Sequence, residues 1–196
     1  MMDEFEIPDT YLIPNVIEKL EQKNRSKWLA KRQASEKTKD LIELLVTSDA
    51  DIDVLNDITK ALDKAAVALK NAPRYFGKID YLENSPYDSF EDVSHELSPL
   101  SGLSNPLSPP VTIEVKDGTA WGSVFCGWAY EGPPGTIHGG FVAAIFDQFL
   151  GMAQMIGKQP GMTGRLTVHY HARSPLNKEL QLKAWFERVD GRKTVI

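Results

Sequence analysis

Two features of this sequence could do chemistry together. His138-Gly139-Gly140 opens an apolar run, and Asp147 stands inside that run. The first turn of a helix carries backbone N–H groups that have no partner within the helix, with the positive end of the helix dipole behind them. Glycine at that place lets a carbonyl come close to the backbone. Such amides stabilise the negative charge that develops on a carbonyl oxygen under attack. Asp147 lies among Phe141, Val142, Ala144, Ile145, Phe146, Phe149 and Leu150. A carboxylate there is costly to bury unless paired or hydrogen-bonded. It is either a functional acid or a group on the one polar edge of the helix, satisfied by a nearby donor. The tripeptide also has a plainer reading, in which glycine eases a turn after Pro134 and His138 caps the helix.

Spacing makes the pair more informative than either part. Eight residues of helix separate Gly139 from Asp147, a rise of about 12 Å. A carbonyl held at Gly139 is therefore out of reach of Asp147 on the same helix. Two antiparallel copies of the helix across a two-fold axis would bring one chain's Gly139 beside the other's Asp147. If both act in one site, the working form is at least a dimer with two sites at its interface.

The surrounding elements follow from pattern. From Asn15 to about Val46 the chain is rich in Lys, Glu, Ala, Leu and Gln, without Gly or Pro. Thr47-Ser48-Asp49 breaks the run, and Asp49 or Asp51 suits the cap of a second helix reaching about Leu69. There Val54, Leu55, Ile58, Ala61, Leu62, Ala65 and Leu69 define one apolar face. Residues 1–71 thus form an N-terminal helical hairpin that must pack on a neighbouring domain or a partner. Residues 72–110, rich in Pro and Ser, read as an irregular linker. Its aromatic residues, Tyr75, Phe76, Tyr81, Tyr87 and Phe90, place it against a surface.

From Val111 the period changes to two. Val111, Ile113 and Val115 alternate with polar residues, and Asp117-Gly118 suits a tight turn into a strand from Ala120 to Tyr130. His138–Ile156 is apolar nearly all round and predicts a helix buried on every side. Strand patterns return at Thr163–Arg173 and at Leu180–Phe186. A curved sheet wrapped around one apolar helix is an α+β hotdog arrangement, here in residues 111–196.

Composition narrows the class. Net charge is −5, and hydrophobic residues make up 42% of the chain, which fits a globular protein and not a nucleic-acid binder. The acidic excess lies in the first half, and basic residues outnumber acidic ones from Lys158 onward, as a phosphorylated small ligand or an ordinary solvated surface would have. Cys126 is the only cysteine, so no intrachain disulfide can form and a reducing compartment is allowed. The acidic start MMDEFEIPDTYLIPN lacks a signal-peptide pattern. Phe141–Ile156, interrupted by polar residues, is too short to span a bilayer. These features predict a cytoplasmic location.

The run GPPGTIHGGFVAAIFDQFLG, followed by MTGRLTVHYHARSPL, resembles the signature of hotdog acyl-CoA thioesterases of the phenylacetyl-CoA thioesterase (PaaI) type. The resemblance covers roughly residues 98–196. It implies hydrolysis of an acyl-CoA to free acid and CoA by a homodimer or dimer of dimers, without cofactor or metal. It assigns carbonyl polarisation to the Gly139 amide beside His138 and Gly140. Attack on the carbonyl, or activation of water, falls to Asp147 of the opposite subunit, and Thr163 helps position water or the carboxylate. It also implies that CoA lies against basic side chains near the later strands, for which Arg165, Arg173 and Lys178 are candidates beside the reading as solvated charges. The main alternative is a non-catalytic acyl-CoA sensor or interaction module docking through the N-terminal hairpin.

Other residues read as structural. His169 and His171 share a strand face at metal-compatible spacing but lack a carboxylate or cysteine partner, so no zinc site is expected. Cys126 reads as core. Trp121, Trp128 and Trp185 line an acyl tunnel or pack, with packing the simpler reading. The family's sheet needs further strands after Val189, so missing C-terminal strands and a longer parent protein are expected.

Overall fold

The turn at Asp117-Gly118 sets the first register. Both residues adopt positive φ, 51° and 71°, as a two-residue hairpin turn requires. It joins β1 (Glu114–Lys116) to β2 (Thr119–Phe125), with Val115 opposite Ala120. Strand β2 also pairs antiparallel with β3 (Glu179–Trp185), Gly122 facing Leu182 and Ala120 facing Ala184. The result is a three-stranded sheet in the order β1-β2-β3. A separate hairpin follows, β4 (Arg188–Asp190) with β5 (Lys193–Val195). The computed structural model describes residues 22–85, 90–157 and 161–196. The readings that involve the N-terminal fifteen residues, the start of the first helix, Pro86, Tyr87 and Lys158 lie outside the described residues.

Helix α5 (Gly139–Ala153) crosses the sheet. Its buried residues, Ile145, Phe149 and Ala153, recur every four residues and so form one stripe. They pack with Val111, Ile113, Ala120, Val124, Leu182 and Ala184 in one core. A Cβ at Gly122 would stand 2.6 Å from the Phe149 ring, so only glycine lets that ring lie on the strand. Full burial of the Phe149 side chain contributes about 2–3 kcal/mol.

Three expectations are corrected here. Helix α5 is not buried on every side: Phe141 and Asp147 are exposed, and Val142, Phe146 and Leu150 are half-buried. Three strands cover one stripe of a helix and no more. Thr163–Arg173 forms no strand within the described residues, because no neighbouring strand offers it a ladder. Strand β2 stops at Phe125 instead of Tyr130, and Trp128–Tyr130 makes a 3-10 turn.

At the N-terminal side, α1 (Gln22–Thr47) and α2 (Ile52–Lys70) are two helices, with Asp51 at the cap position of α2. No residue of α2 is buried among the described residues, and its apolar face is exposed except for the half-buried Ile58. Residues 72–110 are more regular than their composition suggests and contain α3 (Lys78–Asn84) and α4 (Phe90–Leu97). Trp28 of α1 and Val93 of α4 form a second small core with Tyr81 and Leu97. Beside it, the Arg32 guanidinium donates to the Glu96 carboxylate at 3.0 Å from Nε and 2.5 Å from Nη2. The Ser104 hydroxyl donates to the same carboxylate. Glu96 is 2% exposed, so its charge depends on these donors. Arg32→Ala is expected to destabilise the fold by about 3 kcal/mol by leaving that carboxylate buried without its counter-ion. A urea-unfolding midpoint that stays where it was would refute this.

Candidate active site

The loop before α5 is closely tied by its own backbone. Gly132 N–H donates to the Thr136 carbonyl, and Thr136 N–H donates to that of Pro133, each at 2.9 Å. Gly135 sits at φ +74° and donates to the Glu131 carboxylate at 2.6 Å. Ile137 N–H donates to the Ser174 carbonyl and His138 N–H to the Tyr130 carbonyl, both at 2.9 Å. A Cβ on Gly132 would stand 2.6 Å from His138 Cα, so this glycine lets the two arms of the loop meet. The chain therefore enters α5 in a fixed direction.

The first turn of α5 then distributes its amides unequally. His138 is the N-cap, and its Nδ1 accepts from Gly140 N–H at 3.0 Å. The His138 carbonyl accepts from Phe141 and Val142 N–H, at 2.9 and 3.2 Å. Gly139 N–H has no acceptor among the described residues. One amide is left over, and Gly139 is half-buried at the surface. The histidine caps the helix, as the plainer reading has it, and by occupying Gly140 it leaves Gly139 as the first-turn amide without an acceptor among the described residues. The Tyr170 hydroxyl donates to the Gly139 carbonyl at 2.8 Å. Sequence reasoning missed Tyr170, which reads there only as one residue of an alternating run.

Asp147 belongs to a different part of the surface. It lies about 200° around the helix from Ile145, and so points away from the sheet. Its carboxylate is exposed and makes no hydrogen bond or ion pair among the described residues. The burial cost anticipated from its apolar neighbours is therefore not incurred in the single chain. Asp147 lines a cleft of about 540 Å³ together with Gln154, Thr163, Arg165, Arg192 and Thr194. The structure thus brings Asp147, Thr163 and Arg165 together and leaves His138, Gly139 and Gly140 two helical turns away. Arg173 and Lys178 are exposed and flank the Ser174–Asn177 segment. That segment bonds to the loop before α5, through Ile137 N–H to Ser174 and the Thr136–Pro175 bridge.

The remaining candidates sort by exposure. Burial pushes the Cys126 thiol up to about 11, so it is protonated at neutral pH and a poor nucleophile. Burial first, then the neighbouring Cys126 and Glu43, pushes the Tyr130 phenol up to about 12, and its hydroxyl donates to the Leu107 carbonyl. Trp121, Trp128 and Trp185 are exposed, at 44%, 44% and 56%, so neither packing in the core nor lining an enclosed tunnel describes them in this chain. Lys183 sits over the Trp121 ring at 4.6 Å. The rings of His169 and His171 stack, exposed, with centroids 6.1 Å apart.

No family model matches the sequence. A crystal structure described as that of a thioesterase superfamily protein matches this fold with a TM-score of 0.68 at 30% sequence identity. The match covers 84% of this chain and 83% of that one. The chain belongs to the thioesterase superfamily and has its α+β hotdog fold. Membership assigns it thioesterase-like chemistry at the level of the family.

Iodoacetamide near neutral pH is expected to leave Cys126 unlabelled in the native chain and to label it after unfolding in urea. Rapid labelling of the native chain would contradict the burial on which its high thiol value rests.

Proposed function

We propose that this protein is an acyl-CoA thioesterase, of the phenylacetyl-CoA thioesterase type, that works as a homodimer or a dimer of dimers. The observation that carries the reading is the Gly139 N–H at the start of α5, a first-turn amide that loop and cap leave without an acceptor among the described residues. It suits the oxygen of a thioester carbonyl, whose charge grows as the carbonyl carbon is attacked. The attacking group comes from Asp147 of the opposite subunit. Asp147 either adds to the carbonyl or takes a proton from the water that does. In both cases the C–S bond breaks and CoA leaves as the thiol; where Asp147 adds, the acyl–aspartyl anhydride so formed is then cleaved by water, which releases the free acid and restores the carboxylate.

The helix geometry supports the dimer. Gly139 and Asp147 stand about 12 Å apart and about 80° around the axis, too far to share a substrate carbon in one chain. An antiparallel second copy would also cover the apolar side of α5 that the sheet leaves open. Thr163, in the cleft with Asp147, positions water or the carboxylate. Arg165, Arg173 and Lys178 are exposed cations that would meet the phosphates of CoA. The lone buried cysteine suits a reducing compartment and hence the cytoplasm.

Gly139→Pro tests the donor with little damage to the helix. Proline is favoured at the first helical position, where its missing N–H costs no helical hydrogen bond. The residue before it, His138, already has ψ 130°, which proline requires of its predecessor. Loss of this donor is expected to lower kcat by about 100- to 1,000-fold with the unfolding midpoint nearly unchanged. Full turnover in this variant would remove Gly139 from the mechanism.

Mixed dimers test the shared site. Gly139→Pro and Asp147→Asn chains are each expected to be inactive as homodimers. Mixed dimers purified after co-expression have one site that pairs an unaltered Gly139 with an unaltered Asp147, and each is expected to regain about half of the activity of the unaltered dimer. Absence of any recovery in a confirmed mixed dimer would mean that each site is built from one chain. Binding of acyl-CoA without CoA release in the unaltered protein would instead favour the sensor reading.

A further inference from the structure

Helix α1 reaches the candidate site through one side chain. The Glu43 carboxylate accepts from Trp128 N–H at 2.8 Å and from Ala129 N–H at 3.0 Å. These are amides at the start of the 3-10 turn that follows β2. They lie 85 and 86 residues from Glu43 in sequence, so this is a tertiary contact and not a local cap. The neighbouring residue is fitted to it, since a Cβ on Gly127 would stand 2.8 Å from the carboxylate. The turn held in this way ends at Tyr130, whose carbonyl accepts from His138 N–H at 2.9 Å. The Tyr130 ring meets Phe141 of the first turn of α5 edge-on, with centroids 4.9 Å apart.

We propose that Glu43 is a positioning residue for the thioesterase site. By gripping the Trp128 and Ala129 amides it fixes the Tyr130 carbonyl and ring, and these set the direction in which His138 presents the Gly139 amide. The proposal rests on the reading of Gly139 as the carbonyl donor. It assigns the N-terminal helix α1 a part in catalysis, although no residue of α1 needs to touch substrate. The helix is suited to that part because it is anchored at its other end by Trp28 and the Arg32–Glu96 pair. The carboxylate is therefore held from a braced element.

The test compares Glu43→Ala, Glu43→Gln and, as a control for charge, Glu36→Gln, an exposed carboxylate of the same helix, in the full chain. A misdirected donor is expected to lower kcat of Glu43→Ala by about 10- to 100-fold with KM unchanged. Glu43→Gln, which keeps one acceptor oxygen, should fall between it and the unaltered protein, and Glu36→Gln should match the unaltered protein. Amide hydrogen exchange supplies a readout independent of turnover. In Glu43→Ala the His138, Phe141 and Val142 amides should exchange faster while those around Phe149 keep their protection. Unchanged kcat in Glu43→Ala overturns the proposal, as does faster exchange along the whole of α5, which would mark a general loss of stability. If the chain hydrolyses no thioester, the exchange pattern still decides whether Glu43 sets the helix start. If Glu43→Ala does not fold, exchange in the unaltered protein decides, because unprotected Trp128 and Ala129 amides would rule the grip out.

Discussion

The Phe149 ring resting on the backbone of Gly122 determines how α5 lies on the sheet. No side chain fits between them, so the helix approaches β2 closely and its Ile145–Phe149–Ala153 stripe meets the inward residues of all three strands' neighbourhood. Everything else about the helix follows from that seating. With one stripe fixed inward, Asp147 must point outward, and the N-terminus must emerge beside the Gly-Pro-Pro-Gly loop. Interiors are too densely packed for such a contact to slide.

That seating separates two kinds of chemistry along one helix. At its start, the histidine cap takes up the Gly140 amide, and that of Gly139 is left without an acceptor among the described residues. Two turns further on, a carboxylate stands in solvent beside a cleft with a threonine and arginines. In the proposed dimer a second copy of the chain would bring the two groups into one site and cover the apolar side of α5 that the sheet leaves open.

The N-terminal helices are not simply an appendage to this arrangement. Helix α1 is bound to α4 by a buried ion pair and the packing of Trp28 with Val93, to α3 by Trp28 against Tyr81, and to the turn before the site by Glu43. Helix α2 differs, since most of its regular apolar face is exposed among the described residues. Its pattern was plain in the sequence, as was the tight turn at Asp117-Gly118, where two residues with a known tolerance for positive φ stand together. Local chemistry of this sort depends on neighbours a few residues away, and a linear reading has access to all of them.

The end of β2 shows where that access stops. The sequence reading carries the strand to Tyr130, yet β2 ends at Phe125, opposite the first residue of β3, and the Trp128 and Ala129 amides beyond it are taken by a carboxylate some 85 residues earlier. No local pattern announces Glu43, a single acid in a helix rich in them. Thr163–Arg173 illustrates the same limit: its period of two is that of a strand, but a strand exists only where a neighbour supplies a ladder. The sequence alone determined the helices with strong local period, the turn residues, and the eight-residue spacing that keeps Gly139 and Asp147 apart on one helix. The tertiary structure decided which amide is free, which way the acid points, and which distant helix braces the turn, because each depends on atoms that folding brings together from far along the chain.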